Sequence, residues 1–548
     1  MFFLKNKRKE KWSAIALHAK ASEFPCFQFF MKKFLNITNE NKKYIDAQYL
    51  LQDICMGMDD SLVFKNKAYI AGGSVRDEIL GQVSTDIDIV VECENGGILL
   101  AEYICKILSL HSPVTFPRFG TAQVQLKNCV LNSREYFVDG AKIEFVCTRK
   151  EKYDNDSRKP EVSYGTLLQD VERRDFTINS LLKKVTSGPI LEFDDIEKKI
   201  KNGDILDLTG RGINDIKNKI IITPLNPDII FKEDPLRILR AIRFHSKYNW
   251  EIAKETLDGI KNNVYRLDVI SKERIRDEID KIIGYNKLYE ALIVMKETGV
   301  LEKIFPELHN LIGITQSKKY HSEGDAFTHT LLVIKNMQKL IDKSSVELLW
   351  SAMSHDFGKA ITKTEDENGI HFYGHEKISS ELVEFRMRKL KYPLNIIKNV
   401  VFIVSSHMRP TAFENWSDRA YRKFYRDMGS YFDDVLLLAK ADELSSIRED
   451  GLYSNIYDSI KNKIEIAYVV KIPDKLFLNG NDMIELTRNY IKDFQAGPIV
   501  GKLMSLQVSI LLEDPSIMSG NIKQKLISAI ISDNRFFQII GIQNENNI

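Results

Sequence analysis

The chain has 548 residues, enough for three or four domains at roughly 150 residues each, which excludes a single small binding module. Its 78 Lys and Arg against 76 Asp and Glu leave a formal charge of +2, so a uniformly basic nucleic-acid glove and an acidic disordered tail are also excluded. With 44% apolar and 28% charged residues, the composition is that of folded domains with real cores.

Residues 1–44 read as an N-terminal extension with no assigned function. MFFLKNKRKEKWSAIALHAK is basic but lacks the apolar run and cleavage site of a secretory signal, and Met31 offers a second start. All six cysteines fall in the first 150 residues without a CxxC pair, which points to a reducing cytoplasm rather than a disulfide framework. No apolar run reaches the roughly 18 residues a bilayer span needs, so no membrane is expected.

From Lys67 to Glu92 a short apolar strand (AYIAG), a glycine turn, a helix-compatible stretch (VRDEILG) and an alternating strand (DIDIVVE) follow in order. Residues 96–110 have helical period, and strand-like runs fill about 113–148, so a mixed sheet with helices on one face is expected. Residues 149–170 read as a long polar loop. From about Asp228 onward apolar residues recur every three or four positions, predicting helices alone. The fold class is therefore α+β in the first part and all-α behind it.

Asp86 and Asp88 lie two apart in the alternating strand, so both carboxylates share one face while Ile87 and Ile89 point to the core. Such an oxygen cradle suits Mg2+, although a solvated strand edge would carry the same pair. Upstream, Gly72-Gly73-Ser74-Val75-Arg76-Asp77 opens a helix. Glycines let backbone approach a phosphate closely, and Arg76 can add a bidentate contact. A triphosphate between these donors and the carboxylate-held metal is a geometry for nucleotidyl transfer.

GGSVRDEILGQVSTDIDIV resembles the first motif of class II tRNA nucleotidyltransferases, the CCA-adding enzymes, and of their bacterial poly(A) polymerase relatives in the polymerase β superfamily. The resemblance continues through Arg173-Arg174-Asp175-Phe176-Thr177-Ile178-Asn179, DLTGRGIND (Asp207 to Asp215) and Glu233-Asp234-Pro235-Leu236-Arg237, covering about residues 65–300. It implies a polymerase-β-like head over 45–198 and a neck over 199–310. It also implies catalytic Asp86 and Asp88, a third carboxylate at Glu144, and nucleotide contacts from Gly73, Arg76, Arg174, Asp234, Arg237, Arg240 and Arg243. A strand-surface charge remains the other reading of Glu144, and an arginine-rich solvent face that of Arg237, Arg240 and Arg243.

In the family, the residues matching Asp234 and Arg237 act as an amino-acid template for the incoming base. A carboxylate accepts from the exocyclic amine of C or A while a guanidinium donates to the ring acceptor beside it. The implied reaction is template-independent addition of CCA to tRNA from CTP and ATP. The alternatives are CC-only or A-only addition, poly(A) polymerisation, or a phosphohydrolase with an inactive RNA-binding head. The segment 149–170 favours complete CCA addition, because in the family a loop there helps switch specificity from C to A.

Six of the ten histidines lie between His321 and His407. His329, His355, Asp356, His375, His407 and Asp442 follow in helical segments, and together they resemble an HD domain, here over 311–446. The resemblance implies a divalent metal, its identity open, and hydrolysis of small phosphoesters such as 2′,3′-cyclic phosphates or 2′-nucleotides. A vestigial, metal-free helical domain is the alternative. The neck includes SKERIRDEIDKII with Ser271 as N-cap, and the helical tail over 447–548, with a start signal at Gly497-Pro498, resembles the family's tRNA-holding region. The oligomeric state is left open.

Overall fold

A computed structural model describes residues 39–152, 161–190, 193–317, 319, 321–447, 455–466, 476–495 and 497–542. The chain divides into two compact units, Met1–Ile270 and Ser271–Ile548, a boundary that falls inside the segment read as the neck. Of the expected extension, residues 1–38 lie outside the described residues, and its end falls inside helix α1 (Asn39–Met56).

The first unit is built on a seven-stranded mixed sheet. Strand β1 (Ala68–Ala71) stops at Gly72, whose φ of 73° admits the turn into helix α2 (Gly73–Ile79). Strand β2 (Ile87–Val91) and helix α3 (Gly96–Ile107) follow. Strands β3 (Val114–Phe116), β4 (Thr121–Gln125), β5 (Lys142–Cys147), β6 (Leu182–Lys184) and β7 (Ile205–Leu206) complete the order β7-β6-β1-β2-β5-β4-β3. Only β2 and β5 of this sheet pair in parallel. In that register Ile87 meets Ile143 and Ile89 meets Phe145, and all four are buried, which fixes the core face by period-two alternation.

Close approach of α3 to the sheet depends on Gly97. A Cβ there would stand 2.8 Å from the carbonyl oxygens of Gly120 and Phe145. Helix α4 (Leu167–Glu172) sends Leu167 and Val171 onto Tyr69, Ala71, Val90 and Leu182. Beneath α2, the fully buried Lys183 Nζ lies 2.6 Å from Glu78 Oε2 and 2.8 Å from Gln48 Oε1. Every partner of this interior ion pair is hydrogen-bonded, the condition under which buried charge is tolerated.

Two sequence expectations need correction here. The flanks of the segment read as a polar loop, Arg149–Lys152 and Glu161–Tyr164, pair as an antiparallel hairpin, and α4 begins at Leu167; residues 153–160 lie outside the described residues. The part expected to be purely helical, from about Asp228, contains short strands: Glu251–Ile252, paired with Ile220–Ile221 from just before it, and Thr364–Asp366 paired with Gly369–His371. The second pair turns through Glu367-Asn368, with Asp366 opposite Gly369.

Helix α5 (Pro227–Glu233) and helix α6 (Leu236–Tyr248) follow in the first unit, ahead of helix Lys254–Asn263. In the second unit, helices α7 (Ala326–Leu340), α8 (Val346–Ser354), α9 (His375–Lys389), α10 (Leu394–Ser406) and α11 (Phe432–Glu443) surround a core that includes Phe327, Trp350 and Val404. Helix Lys272–Gly284 begins after Ser271 as expected, although the Ser271 hydroxyl makes no capping bond. Helix Pro498–Glu513 begins at Gly497-Pro498 and packs in a separate apolar cluster with Leu526, Ile530 and Phe536.

Candidate functional site

The register between β2 and β5 sets Asp88 beside Glu144, and both side chains lie on the exposed face opposite the buried isoleucines. Asp86 stands immediately before β2, also exposed, its carbonyl receiving hydrogen bonds from the Ser74 and Ser84 hydroxyls. Although Asp88 reaches the surface, the protein crowding its carboxyl displaces water, and this, then the nearby Glu144, push it up to about 6 against the opposing pull of Arg174. Three carboxylates thus crowd one spot, and a cation is what would relieve them.

Arg174 lies over the glycine turn. Its Nη1 would stand 2.9 Å from a Cβ at Gly72, where the φ of 73° already favours glycine. Its Nη1 donates to the Asn179 carbonyl (3.2 Å) and its Nη2 to Asp170 Oδ2 (3.0 Å). The neighbouring Arg173 donates to Asp170 Oδ1 (2.6 Å), while its carbonyl accepts from Arg237 Nη2 (2.5 Å). One residue pair therefore reaches both the carboxylate cluster and the helix that follows.

Arg237 and Arg243 are buried, so α6 does not present an ordinary solvated arginine face. Arg237 Nη1 donates to the Ile230 carbonyl and to Glu233 Oε2, each at 3.0 Å. Arg240 Nε donates to Asp175 Oδ2 at 2.7 Å. Asp234 occupies the break between α5 and α6 in extended conformation, and its Oδ1 accepts the Leu236 N–H at 3.1 Å. Pro235 explains the break, since the residue before a proline is driven out of the helical region.

Arg76 also differs in surroundings from its expected phosphate contact. It is buried, donates to Asp77 Oδ1 (2.9 and 2.7 Å) and to Asn179 Oδ1, and stacks on Phe244 and Tyr248. Gly73 stands at the first position of α2, against the Arg76 guanidinium. Sequence reasoning gave no separate role to Asp175 and Asn179, which join these parts. Burial opposes charge on Asp175, but Arg240 and Asn179 prevail and hold its carboxyl at about 2. The signal was present in the RRDFTIN motif; the burial that makes Asp175 a junction has no signature in one sequence.

In the second unit all six expected donors converge. His329 enters from the first turn of α7, His355 and Asp356 follow α8, His375 opens α9, His407 follows α10, and Asp442 lies in α11. His329 Nε2 is 2.9 Å from Asp442 Oδ1, His355 Nε2 is 3.2 Å from Asp356 Oδ2, and His375 Nε2 is 3.4 Å from Asp356 Oδ1 and 3.3 Å from His407 Nε2. Ligand atoms each about 2.1 Å from one ion stand roughly 3 Å apart, so these spacings fit a metal centre. Asp356 belongs to two triads, one with His329 and His355 and one with His375 and His407.

The opposite ring nitrogens are pinned. His355, His375 and His407 turn Nδ1 to the carbonyls of Ala352, Phe372 and Val404 at 3.0, 2.8 and 2.7 Å, and His329 turns Nδ1 to Glu323 Oε1 at 2.8 Å. An Nδ1–H so donated leaves the Nε2 lone pair facing the cluster, the tautomer that ligates metal. Buried His329 Nε2, His355 Nε2 and Asp356 Oδ2 make no hydrogen bond of acceptable geometry among the described residues, although Lys359 Nζ lies 2.7 Å from Asp356 Oδ2. Donor chemistry and these orphaned atoms fit a divalent cation. Burial, then the neighbouring His355 and His375, push His407 down to about 3, keeping it neutral and able to ligate. Glu323 and Lys359 were missed from sequence; Lys359 follows Asp356 by one turn and could have been found, whereas the Glu323 loop has no period to read.

The parallel pair bearing carboxylates, backed by a glycine turn, defines the class as a nucleotidyltransferase head of the poly(A) polymerase type. The family model described as "Poly A polymerase head domain" matches residues 68–222, "Probable RNA and SrmB- binding site of polymerase A" matches 249–312, and "HD domain" matches 326–447. The multifunctional CCA protein of Nitrosospira multiformis is 30% identical, over 65% of this chain and 79% of that protein. A tRNA nucleotidyltransferase of Schizosaccharomyces pombe is 33% identical over 52% of this chain, which spans about half (54%) of that relative. In fold, the chain resembles the Bacillus stearothermophilus CCA-adding enzyme in complex with CTP (19% identity, TM-score 0.56, 90% and 98% of the two chains). It also resembles the Thermotoga maritima CCA-adding enzyme complexed with tRNA (20%, TM-score 0.51, 88% and 98%). The chain belongs to the family of CCA-adding tRNA nucleotidyltransferases that includes the multifunctional CCA proteins.

Proposed function

We propose that the protein adds C, C and A to the 3′ end of tRNA, drawing on CTP and ATP. The observation that carries this reading is the register setting Asp88 beside Glu144 on an open sheet face, with Asp86 and Arg174 in electrostatic reach. An all-oxygen donor set of Asp86, Asp88 and Glu144 suits Mg2+, which when bound supplies charge neutralisation to the triphosphate and acidity to the tRNA hydroxyl. Gly73 lets backbone approach the phosphates, and Arg174 offers them a cation. Arg76 acts through position, holding the turn against α6. Asp234 and Arg237 choose the base; three Arg237 N–H donors are engaged, leaving two of the five that a guanidinium carries. Arg240 and Arg243 extend the same nucleotide-facing row.

The domain limits that go with this reading are a head over 45–198, a neck over 199–310, an HD domain over 311–446 and a tRNA-binding tail over 447–548. Contacts to tRNA would be mainly to backbone and shape, and binding should weaken with salt. The cytoplasm suits five described cysteines that stand as free thiols. Among the described residues no helix is long and apolar enough to cross a membrane.

Purified protein incubated with tRNA transcripts ending before C, CC or CCA, each with one labelled nucleotide, tests the proposal. Two C additions followed by one A are expected, then arrest. Products ending in CC, growth of A tracts, or no growth would assign CC-only, poly(A) or hydrolase-only activity instead.

The HD cluster supports a second activity, phosphoester hydrolysis, because two buried triads share Asp356, Asp442 approaches His329, and the histidine Nε2 atoms turn inward. A divalent cation held there supplies a water of lowered pKa. Water oxygen bonds to phosphorus, one phosphorus–oxygen bond to the sugar breaks, and the released sugar oxygen takes a proton. Lys359 is placed to receive a phosphoryl oxygen. Metal analysis tests this: wild type should retain a divalent ion that His355→Ala/Asp356→Ala lacks, and equal near-zero occupancy would remove the hydrolase while sparing the transferase.

A further inference from the structure

A cavity of about 590 Å3 opens onto the histidine cluster. Its lining includes Asp356, Lys359 and the His375–His407 pair together with Ile370 to Tyr373, at the foot of the Thr364–His371 hairpin, and Lys359 Nζ lies 5.3 Å from the Phe372 ring centroid. Tyr373 is 78% exposed, more than any other large apolar residue among the described residues. A ring with no core to fill is a ring available to a ligand.

The Tyr373 ring is held flat. It lies parallel to His371, centroids 5.1 Å apart and planes within 10°, and its hydroxyl meets His371 Nδ1 at 3.3 Å. His371 Nε2 in turn meets Asp366 Oδ1 at 3.1 Å across the hairpin. Tyr373 is also two residues from His375, whose Nδ1 is fixed by the Phe372 carbonyl. The aromatic platform and a ligand of the cluster are therefore one short covalent piece, so the distance between them is set in advance. Lys359 Nζ, paired with Asp356, supplies a cation. A cavity lined by a cation, a carboxylate and a flat exposed ring matches a phosphoester joined to a planar base. Hydroxyls of Ser317, Thr411 and Ser446 line it as well, which suits a sugar.

We propose that Tyr373, braced by His371, is the stacking subsite for the base of a nucleoside phosphoester whose phosphate sits against Asp356 and Lys359 in this cavity. The inference rests on the hydrolytic reading of the HD cluster and adds to it the residues that recognise the base. Stacking of a base on an aromatic ring changes affinity by roughly 5- to 150-fold.

The test uses metal-loaded full-length protein and two esters, adenosine 2′,3′-cyclic phosphate and methyl riboside 2′,3′-cyclic phosphate. Tyr373→Ala should raise KM for the adenosine ester at least tenfold, with kcat within twofold, and leave the methyl riboside ester unchanged. Tyr373→Phe should keep wild-type values, since the ring and not the hydroxyl does the stacking. An equal effect on both esters, or none on either, overturns the proposal. If wild type hydrolyses neither ester, the hydrolytic reading fails, and equilibrium dialysis of adenosine 2′-monophosphate decides the subsite alone. Tenfold weaker binding by Tyr373→Ala upholds it; equal binding, or none by wild type, overturns it. CCA addition by the variant should match wild type and reports intact folding.

Discussion

Replacing Asp175 by asparagine keeps the shape of the side chain and removes its charge at the junction of the transferase centre. The carboxylate accepts from the Phe176 N–H (2.8 Å), Asn179 Nδ2 (2.9 Å) and Arg240 Nε (2.7 Å), and lies 2.6 Å from Arg240 Nη2. An amide preserves the first two contacts and turns an NH2 or an uncharged oxygen toward the guanidinium. Breaking a buried charge pair costs about 3–5 kcal/mol, but the Arg240 side chain is 33% exposed and can rehydrate, so about 2–3 kcal/mol is expected. The lowering of the Asp175 carboxyl from 3.8 to about 2 corresponds independently to about 2 kcal/mol. Because the folded value is depressed, this stabilisation is present above pH about 4 and fades as pH falls toward 2. Denaturant titration read by pulse proteolysis on the first unit should place Asp175→Asn below wild type at neutral pH, with the gap closing in acid. With Arg240 released, KM for CTP should rise about tenfold. Equal stability at pH 7 together with an unchanged KM would refute the reasoning.

Asp86→Ala, Asp88→Ala and Glu144→Gln should each lower transfer of every nucleotide by on the order of 1,000-fold while leaving circular dichroism unchanged; a Glu144→Gln enzyme with full activity would reduce that residue to surface charge. Asp234→Ala should relax base choice instead, shrinking discrimination against UTP and GTP by about 10- to 100-fold in single-nucleotide extension assays, since an unmatched polar group costs about 1–3 kcal/mol. Unchanged selectivity would remove Asp234 from base reading. Gly97→Ala should destabilise the first unit by about 1–3 kcal/mol, because its Cβ would meet two backbone carbonyls at 2.8 Å that cannot swing aside; a neutral result in the same proteolysis assay would show that α3 can lift.

Much of the fold was legible because period dominates both halves. Alternation across DIDIVVE gives the buried Ile87 and Ile89 and the outward Asp86 and Asp88, and it could not have been shifted by one residue without burying two carboxylates. The pairing of β2 with β5, which puts Glu144 beside Asp88, is a long-range choice that no local pattern announces. Histidine spacing gave the HD donors, each at a helix end or on a helix face. Arg76 illustrates the limit: its residue type suits a phosphate, and only tertiary packing shows that Asp77, Asn179 and two aromatic rings already claim it. The Thr364–His371 hairpin turns through Glu367-Asn368, a pair without a strong turn signature, so no local pattern set it apart from the helices around it.

Arg173 and Arg174 share one amide plane, and their outer groups face different tasks: one carbonyl steadies Arg237, one guanidinium leans over Gly72 toward Asp88. A planar amide transmits a tilt from end to end instead of absorbing it. If the proposed roles hold, a base that displaced Arg237 would pull on the carbonyl one residue from the guanidinium that lies over Gly72, joining base fit to the charge beside Asp88.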